Sequence, residues 1–502
     1  MSDLLLRDVR VVALDDAPPP HDGEPVDVLV RDGVVTGLGP RLERPDGVPE
    51  VAGEGRWLIP GLWDQHTHLG QWTLASRRLD TIGVRSPEDA AALVAERVSA
   101  EPGRPVIGWG HRPGTWPREV TVAELDAVSG VTPVVLVAGD GHHGWLNSAA
   151  LAALGLGARE GVVRENEWFA AYDLLTTLTG DDGTTPAAYR ETLTRAAAQG
   201  VVGLVDFEFA GGPADWVERW SGCDLLRVRV ATYADGLEPA IAAGLRTGAP
   251  LVAGDDRLTM GPLKIISDGS LNTRTAWCCE PYADAHAQEH PAGAANLPAH
   301  ELAALLARAH MSGLQVATHA IGDAAVTAAL DAYETTGAGG SIEHVQLVAR
   351  ADVARMAALG VRASMQPGHL LDDRDLSELI WPGRGERCFA FRWLLEAGVR
   401  LVLGSDAPVS PLDPWLAMAA AVHRSADDRG PWHPEQALTP REALAASVDE
   451  RPTVGVGSLA DLALLDHDPL APADSPREAA AALRSATVAL TLVGGEIVHE
   501  AR

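Results

Sequence analysis

Met260-Gly-Pro-Leu-Lys-Ile-Ile-Ser-Asp-Gly269 is an apolar, strand-like run ending in a turn signal, and it holds the only lysine of the chain. Arginine supplies every other fixed positive charge. A guanidinium stays protonated at ordinary pH, whereas a lysine amine in a dry site can lose its proton and become a base or a nucleophile. The chemistry open to Lys264 is therefore a Schiff base, general-base action, or addition of carbon dioxide to give a metal-binding carbamate. The plain alternative is a lysine retained on the surface or at a barrel mouth.

Working outward, runs of the same kind recur at residues 58–63, 201–207 and 227–233 before this one (263–267), and at 314–319, 341–344, 362–366 and 401–405 after it. Alanine- and leucine-rich helical stretches separate them, the pattern of a parallel sheet with crossover helices. Eight such units predict an α/β fold of the (β/α)8 TIM-barrel type, in which chemistry gathers at the C-terminal ends of the strands. The informative side chains fall there. His66 and His68 follow the first run, Lys264 lies on the fourth, His319 and His344 close the fifth and sixth, and Asp406 follows the eighth. Histidines at i and i+2 of an extended segment share a side and can grip one metal. Taken singly, His319 and His344 could be satisfied core histidines and Asp406 a helix cap. Five such coincidences at successive strand ends make a poor joint explanation.

The two ends of the chain read differently. Apolar alternation over residues 4–51, broken at Asp32-Gly33, predicts β-hairpins, and the same texture returns at 460–466 and 486–498. Neither end is a stable sheet alone, so both are expected to build one β-sandwich. The expected division is 1–56 and 451–502 for that small domain and 57–450 for the barrel. Within the barrel, about 71–185 is too long for one loop and is expected to form an insertion or lid. It carries Trp72, Trp109, His111, Trp116, His142, His143, Trp145 and Trp168, a density that suits packing first and an aromatic substrate pocket second.

A net charge of −29 argues against nucleic-acid and anionic-membrane partners, which demand a cationic surface. No signal-peptide pattern and no spanning apolar run is present. Cys223, Cys278, Cys279 and Cys388 show neither finger spacing nor a disulfide framework, so a reducing cytoplasm is the simplest compartment.

At this point the chain resembles the amidohydrolase superfamily, in its amidohydrolase-3 branch, which includes N-substituted formamide deformylases. The resemblance runs over nearly the whole length. It is carried by Pro60-Gly-Leu-Trp-Asp-Gln-His-Thr-His, Gly108-Trp-Gly, Asp140-Gly-His-His-Gly-Trp-Leu-Asn, Leu263-Lys-Ile-Ile-Ser-Asp-Gly, Thr318-His-Ala-Ile-Gly-Asp, Ile342-Glu-His, Gln366-Pro and Gly404-Ser-Asp-Ala-Pro. It implies two divalent ions, zinc first, with iron, manganese or nickel as alternatives. His66, His68 and Asp406 would hold the buried ion, His319 and His344 the outer one, and a carboxylated Lys264 would bridge them. Two such ions about 3.5–4 Å apart activate a bridging hydroxide and polarise a carbonyl, and Asp406 would pass the proton to the leaving amine. Trp63-Asp-Gln before the first histidine departs from commoner relatives and is expected to shape the floor.

The reaction so implied is hydrolysis of a non-peptide C–N bond in an N-acyl or N-formyl amine, a small molecule with an apolar or aromatic group. Cyclic amides, carbamates or esters are the rival substrates on the same site, and a catalytically silent binding protein is the rival class. Single-metal purine-type deamination would need a glutamate where Gly322 stands. Trp109, His142, Arg274, Trp277, Gln366 and His369 are the expected substrate contacts, Asp268-Gly269 reads as a turn, and the resemblance also implies a homodimer.

Overall fold

The computed structural model describes residues 3–15, 20–111, 116, 118–138, 143–172, 174–179, 183–209, 211–284, 289–425, 429–449 and 453–501. Eight parallel strands follow one another around a barrel in chain order: Leu62–Thr67, Val201–Asp206, Arg227–Thr232, Asp255–Ile266, Val316–Ala320, Gly340–His344, Arg362–Met365 and Leu401–Leu403. The first two are buried at every position, as expected of strands covered on both faces. The barrel closes at the C-terminal ends of its first and last strands. There the Asp406 amide donates to the His66 carbonyl at 2.7 Å and the His68 amide to the Ala407 carbonyl at 2.9 Å. The TIM barrel read from the alternating pattern is thus the observed fold.

The first strand corrects the sequence reading. The apolar run expected to be one barrel strand belongs to two sheets: Trp57–Pro60 pairs antiparallel with Leu462–Leu465, whereas Leu62–Thr67 enters the barrel. Gly61 is the crossing point, and a Cβ there would lie 2.1 Å from a methyl of Val202. Periodicity cannot register such a change of partner, because both halves are equally apolar. His66 consequently sits inside the first strand rather than after it.

The ends of the chain do pair with each other. Their sheet runs in the order Glu496–Glu500, Val488–Val493, Leu462–Leu465, Trp57–Pro60, Leu4–Val11, Val26–Arg31 and Val34–Gly39, with Glu50–Ala52 beside Leu4–Val11. Leu6, Val28, Leu58, Leu464 and Leu490 share one apolar core across both ends. Either end alone would expose that face.

Residues 70–192 form a compact unit of their own. Its sheet contains Leu79–Asp80, Val106–His111, Val134–Ala138, His143–Leu146 and Val163–Arg164. Trp145 and Trp168 are fully buried and Trp116 nearly so, which is the packing role. Trp109 is half-buried, with the Arg78 guanidinium 5.6 Å from its ring centroid. His142 lies outside the described residues. Among the described residues, no helix is long and apolar enough to cross a membrane.

Candidate metal centre

The strand ends bring one cluster together. His66, His68 and Asp406 each offer a ligand atom within 4.8 Å of the others, and so do His344, His369 and Asp406. Asp406 Oδ1 lies 3.4 Å from His66 Nε2 and 3.3 Å from His68 Nε2, and its Oδ2 lies 3.6 Å from His369 Nε2. Two of the candidate ligands have left-handed backbone, His344 at φ 74° and Asp406 at φ 56°. Non-glycine residues are held there only when their surroundings over-determine them, and such strain gathers at functional sites.

The tautomers can be read from the partners. His319 Nε2 lies 3.1 Å from the Gly269 carbonyl, which can only accept, so Nε2 carries the proton and Nδ1 keeps its lone pair. His66 Nδ1 lies 2.7 Å from Glu343 Oε2. With that carboxylate accepting, the lone pair of His66 is on Nε2. Burial and the charge of Lys264 hold His66 well below its ordinary pKa and bring His319 down to about 4. Burial, with the neighbouring His319, does the same for His344. Neutral rings are what a metal needs. Burial alone would raise the Asp406 carboxyl, but the facing imidazoles of His66, His68, His344 and His369 outweigh it and hold the group well below the usual carboxylate range.

His68 Nδ1, His344 Nδ1 and His369 Nε2 are buried atoms without a hydrogen-bond partner. Leaving such atoms unmatched costs about 1–3 kcal/mol each. Imidazoles of which His66, His319 and His344 are held neutral, beside an ionised Asp406, fit a divalent cation.

Lys264 is 2% exposed. Its Nζ stands 3.2 Å from His66 Nε2 and 4.3 Å from the centroid of the Phe207 ring. Burial pushes the amine down to about 8, which opens the neutral-amine chemistry denied to arginine.

Glu343 and Asp268 escaped the sequence reading as parts of the site, whereas Asp64 lies in the stretch expected to shape its floor. Glu343 is fully enclosed and receives the Ser341 hydroxyl at 2.5 Å as well as His66. Strand alternation alone would turn Glu343 and His344 to opposite faces, and the left-handed turn at His344 lifts that restriction. Asp268 does more than make a turn. It accepts from the amides of Trp277, Ile321 and Gly322 at 2.9, 3.1 and 2.9 Å, and its Oδ1 is 3.4 Å from His319 Nε2. Burial lifts its carboxyl to about 7. Asp64 Oδ1 accepts from the His66 and Ser405 amides at 3.1 and 2.9 Å, tying the first strand to the last. Gly404 permits this approach, since a Cβ there would meet the His66 nitrogen at 2.7 Å.

The expected substrate contacts separate. Gln366 is buried, with Oε1 unpartnered, and His369 faces Asp406. Arg274 is committed to Asp284 at 3.0 Å and to the Asn272 carbonyl at 2.6 Å. Trp277 is half-buried, and its carbonyl abuts Gly322, where a Cβ would come within 2.0 Å. Trp63 is 5% exposed, beneath the Arg229 guanidinium at 4.1 Å and against Gly203.

Glu343→Gln is expected to weaken divalent-ion affinity by roughly 10–100-fold, the usual effect of losing the partner that orients a ligating histidine. Equilibrium dialysis checks it, and unchanged affinity would remove Glu343 from the site.

A barrel whose strand ends gather histidines, one aspartate and a buried lysine defines a metal-dependent hydrolase architecture. The Amidohydrolase family matches residues 50–499, and the chain belongs to that family of metal-dependent hydrolases acting on carbon–nitrogen bonds. It is 28% identical to Protein LONG AFTER FAR-RED 3 of Arabidopsis thaliana, over 93% of this chain and 84% of that one. It is 26% identical to the N-substituted formamide deformylase of Arthrobacter pascens, over 94% of each. Its fold is similar to that of an uncharacterized metal-dependent hydrolase from Pyrococcus horikoshii, with a TM-score of 0.71, 24% identity, and coverage of 94% of this chain and 99% of the other.

Proposed function

We propose that the enzyme hydrolyses small N-acyl or N-formyl amines with two divalent ions, zinc first, and a carboxylated Lys264 between them. The observation that carries the reading is the sole lysine, its amine buried and 3.2 Å from a ligand nitrogen of His66. The similarity to an N-substituted formamide deformylase supports the substrate class. Phe209, 56% exposed and stacked 4.7 Å from the His68 ring, supports an apolar or aromatic group on the substrate.

His66, His68, His344 and Asp406 would hold the ions, with His319 offering Nδ1. Divalent ions in that position acidify a water molecule and polarise an amide carbonyl. Asp406, ionised and with Oδ2 facing His369, accepts the proton released as water adds to the carbonyl carbon. It returns that proton to nitrogen as the C–N bond breaks, leaving a carboxylic acid and an amine. The buried floor around Asp64 and Glu343 keeps the rings fixed throughout.

The test is kcat/KM for metal-loaded protein across N-formyl amines, N-acyl amines, cyclic amides and aryl esters. The open-chain amides are expected to lead. A cyclic amide or an ester ahead by more than about tenfold, near 1.4 kcal/mol of transition-state preference, overturns the assignment.

A further inference from the structure

We infer that the N-terminal end of the barrel, opposite the candidate metal centre, binds a small molecule by an oxyanion head, a carboxylate or a phosphate, held by Arg362 and Arg400. Three guanidiniums gather there around one carboxylate. Arg229 donates through both terminal nitrogens to Asp449, at 2.8 and 2.5 Å, and so occupies both oxygens of that carboxylate. Arg400 Nη2 donates to the main-chain carbonyl of Asp449 at 2.7 Å, and Arg362 Nη2 to Gln315 Oε1 at 3.2 Å. Among the described residues, neither Arg362 nor Arg400 has a carboxylate within 4.0 Å.

Strand register forces the crowding. Ala363 pairs with Leu401, and the Ala363 amide donates to the Arg400 carbonyl at 3.0 Å. The seventh and eighth barrel strands therefore start level, with Arg362 and Arg400 side by side. Like charges so placed repel. Burial holds the Arg362 guanidinium below its ordinary range, and Arg400 and Arg229 push the same way against Glu343 and Asp449. An anion between the two arginines relieves that repulsion. Guanidinium forks that no carboxylate has taken up match an oxyanion in shape as well as in charge. Arg400 is exposed and Arg362 half-buried, so a ligand head can reach both.

The body of such a molecule has room nearby. Arg229 and Asp449 also line a cavity of about 440 Å³, the size of a small-molecule site. Trp63, Val454 and Leu462 give that cavity apolar wall, with the Arg229 guanidinium 4.1 Å from the Trp63 ring centroid. Arg227, on the same wall, is 8% exposed and already paired with Asp461 at 2.5 Å. The unmatched positive charge thus lies on the Arg362 and Arg400 side.

The experiment is calorimetric titration of the full-length protein as purified, with sodium benzoate and separately with inorganic phosphate, at one ionic strength set with chloride. Wild type is expected to bind one or both with a millimolar or tighter Kd. Arg400→Glu, at an exposed position, should weaken that binding by about tenfold or more, the scale of losing a charged hydrogen bond. Arg362→Gln should weaken it as well, with circular dichroism unchanged in both variants. Binding of benzoate alone assigns a carboxylate head on an apolar body, and binding of phosphate alone a phosphate head. Anions held at the metal centre would not respond to either substitution. Unchanged affinity in either folded variant, or a wild type that binds neither anion, would overturn the inference and leave the arginines a structural layer. Should Arg362→Gln fail to fold, Arg400→Glu decides alone.

Discussion

Lys264→Ala is expected to lose activity by about 1,000-fold or more, the scale of removing a preorganised charge from a buried site. The amine is enclosed, 3.2 Å from His66 Nε2 and over the Phe207 ring, so no neighbouring side chain can take its place. Burial lowers it to about 8, and it is the uncharged amine that adds carbon dioxide. If the carbamate is the functional form, acetate or propionate should partly restore turnover by supplying a carboxylate in the vacated space. Lys264→Arg should not be rescued, because the guanidinium fills that space and cannot be carboxylated. Full activity in Lys264→Ala would eliminate the bridge, and loss without rescue in any short acid would leave the lysine acting as an amine.

Asp406→Asn is expected to lower kcat by about 10²–10⁴-fold, the range for loss of a positioned acid–base group. The amide keeps the shape of the carboxylate but cannot take up a proton. Because its surroundings hold the native carboxyl well below the ordinary range, wild-type Asp406 stays ionised wherever a free carboxyl would be. The defect should therefore persist across the profile. A depressed carboxylate contributes stability above its unfolded pKa and loses it as pH falls through the folded one, so the mutant should also show less acid-dependent destabilisation. Metal content measured alongside kcat separates the two roles: turnover near wild type would show that Asp406 is not the proton carrier, and loss of an ion would show that it is a ligand.

Much of the site could be read in the chain because barrel chemistry is tied to strand ends. Eight apolar runs mark those ends, and His66, His68, Lys264, His319, His344 and Asp406 stand on or beside them in the sequence. The oxygens that orient them could not be found in this way. His66 and Glu343 are 277 positions apart, and Glu343 reads as the ordinary polar neighbour of His344. Asp268 resembles any Asp-Gly turn until three amides converge on it.

What the sequence by itself determined is the alternation of strands and helices, the pairing of the two ends in one small β domain, and the residue types available for metal chemistry. These follow from periodicity and from functional-group chemistry, which are local. Only the tertiary structure decided that the run through Gly61 divides between two sheets, that Glu343 reaches His66, and that His369 faces Asp406 beside His344. Those outcomes depend on how closely separate backbones approach, at Gly61 on Val202, at Gly404 on His66 and at Gly368 on Ser410. Distance between segments is a property of packing, and no stretch of chain carries it alone.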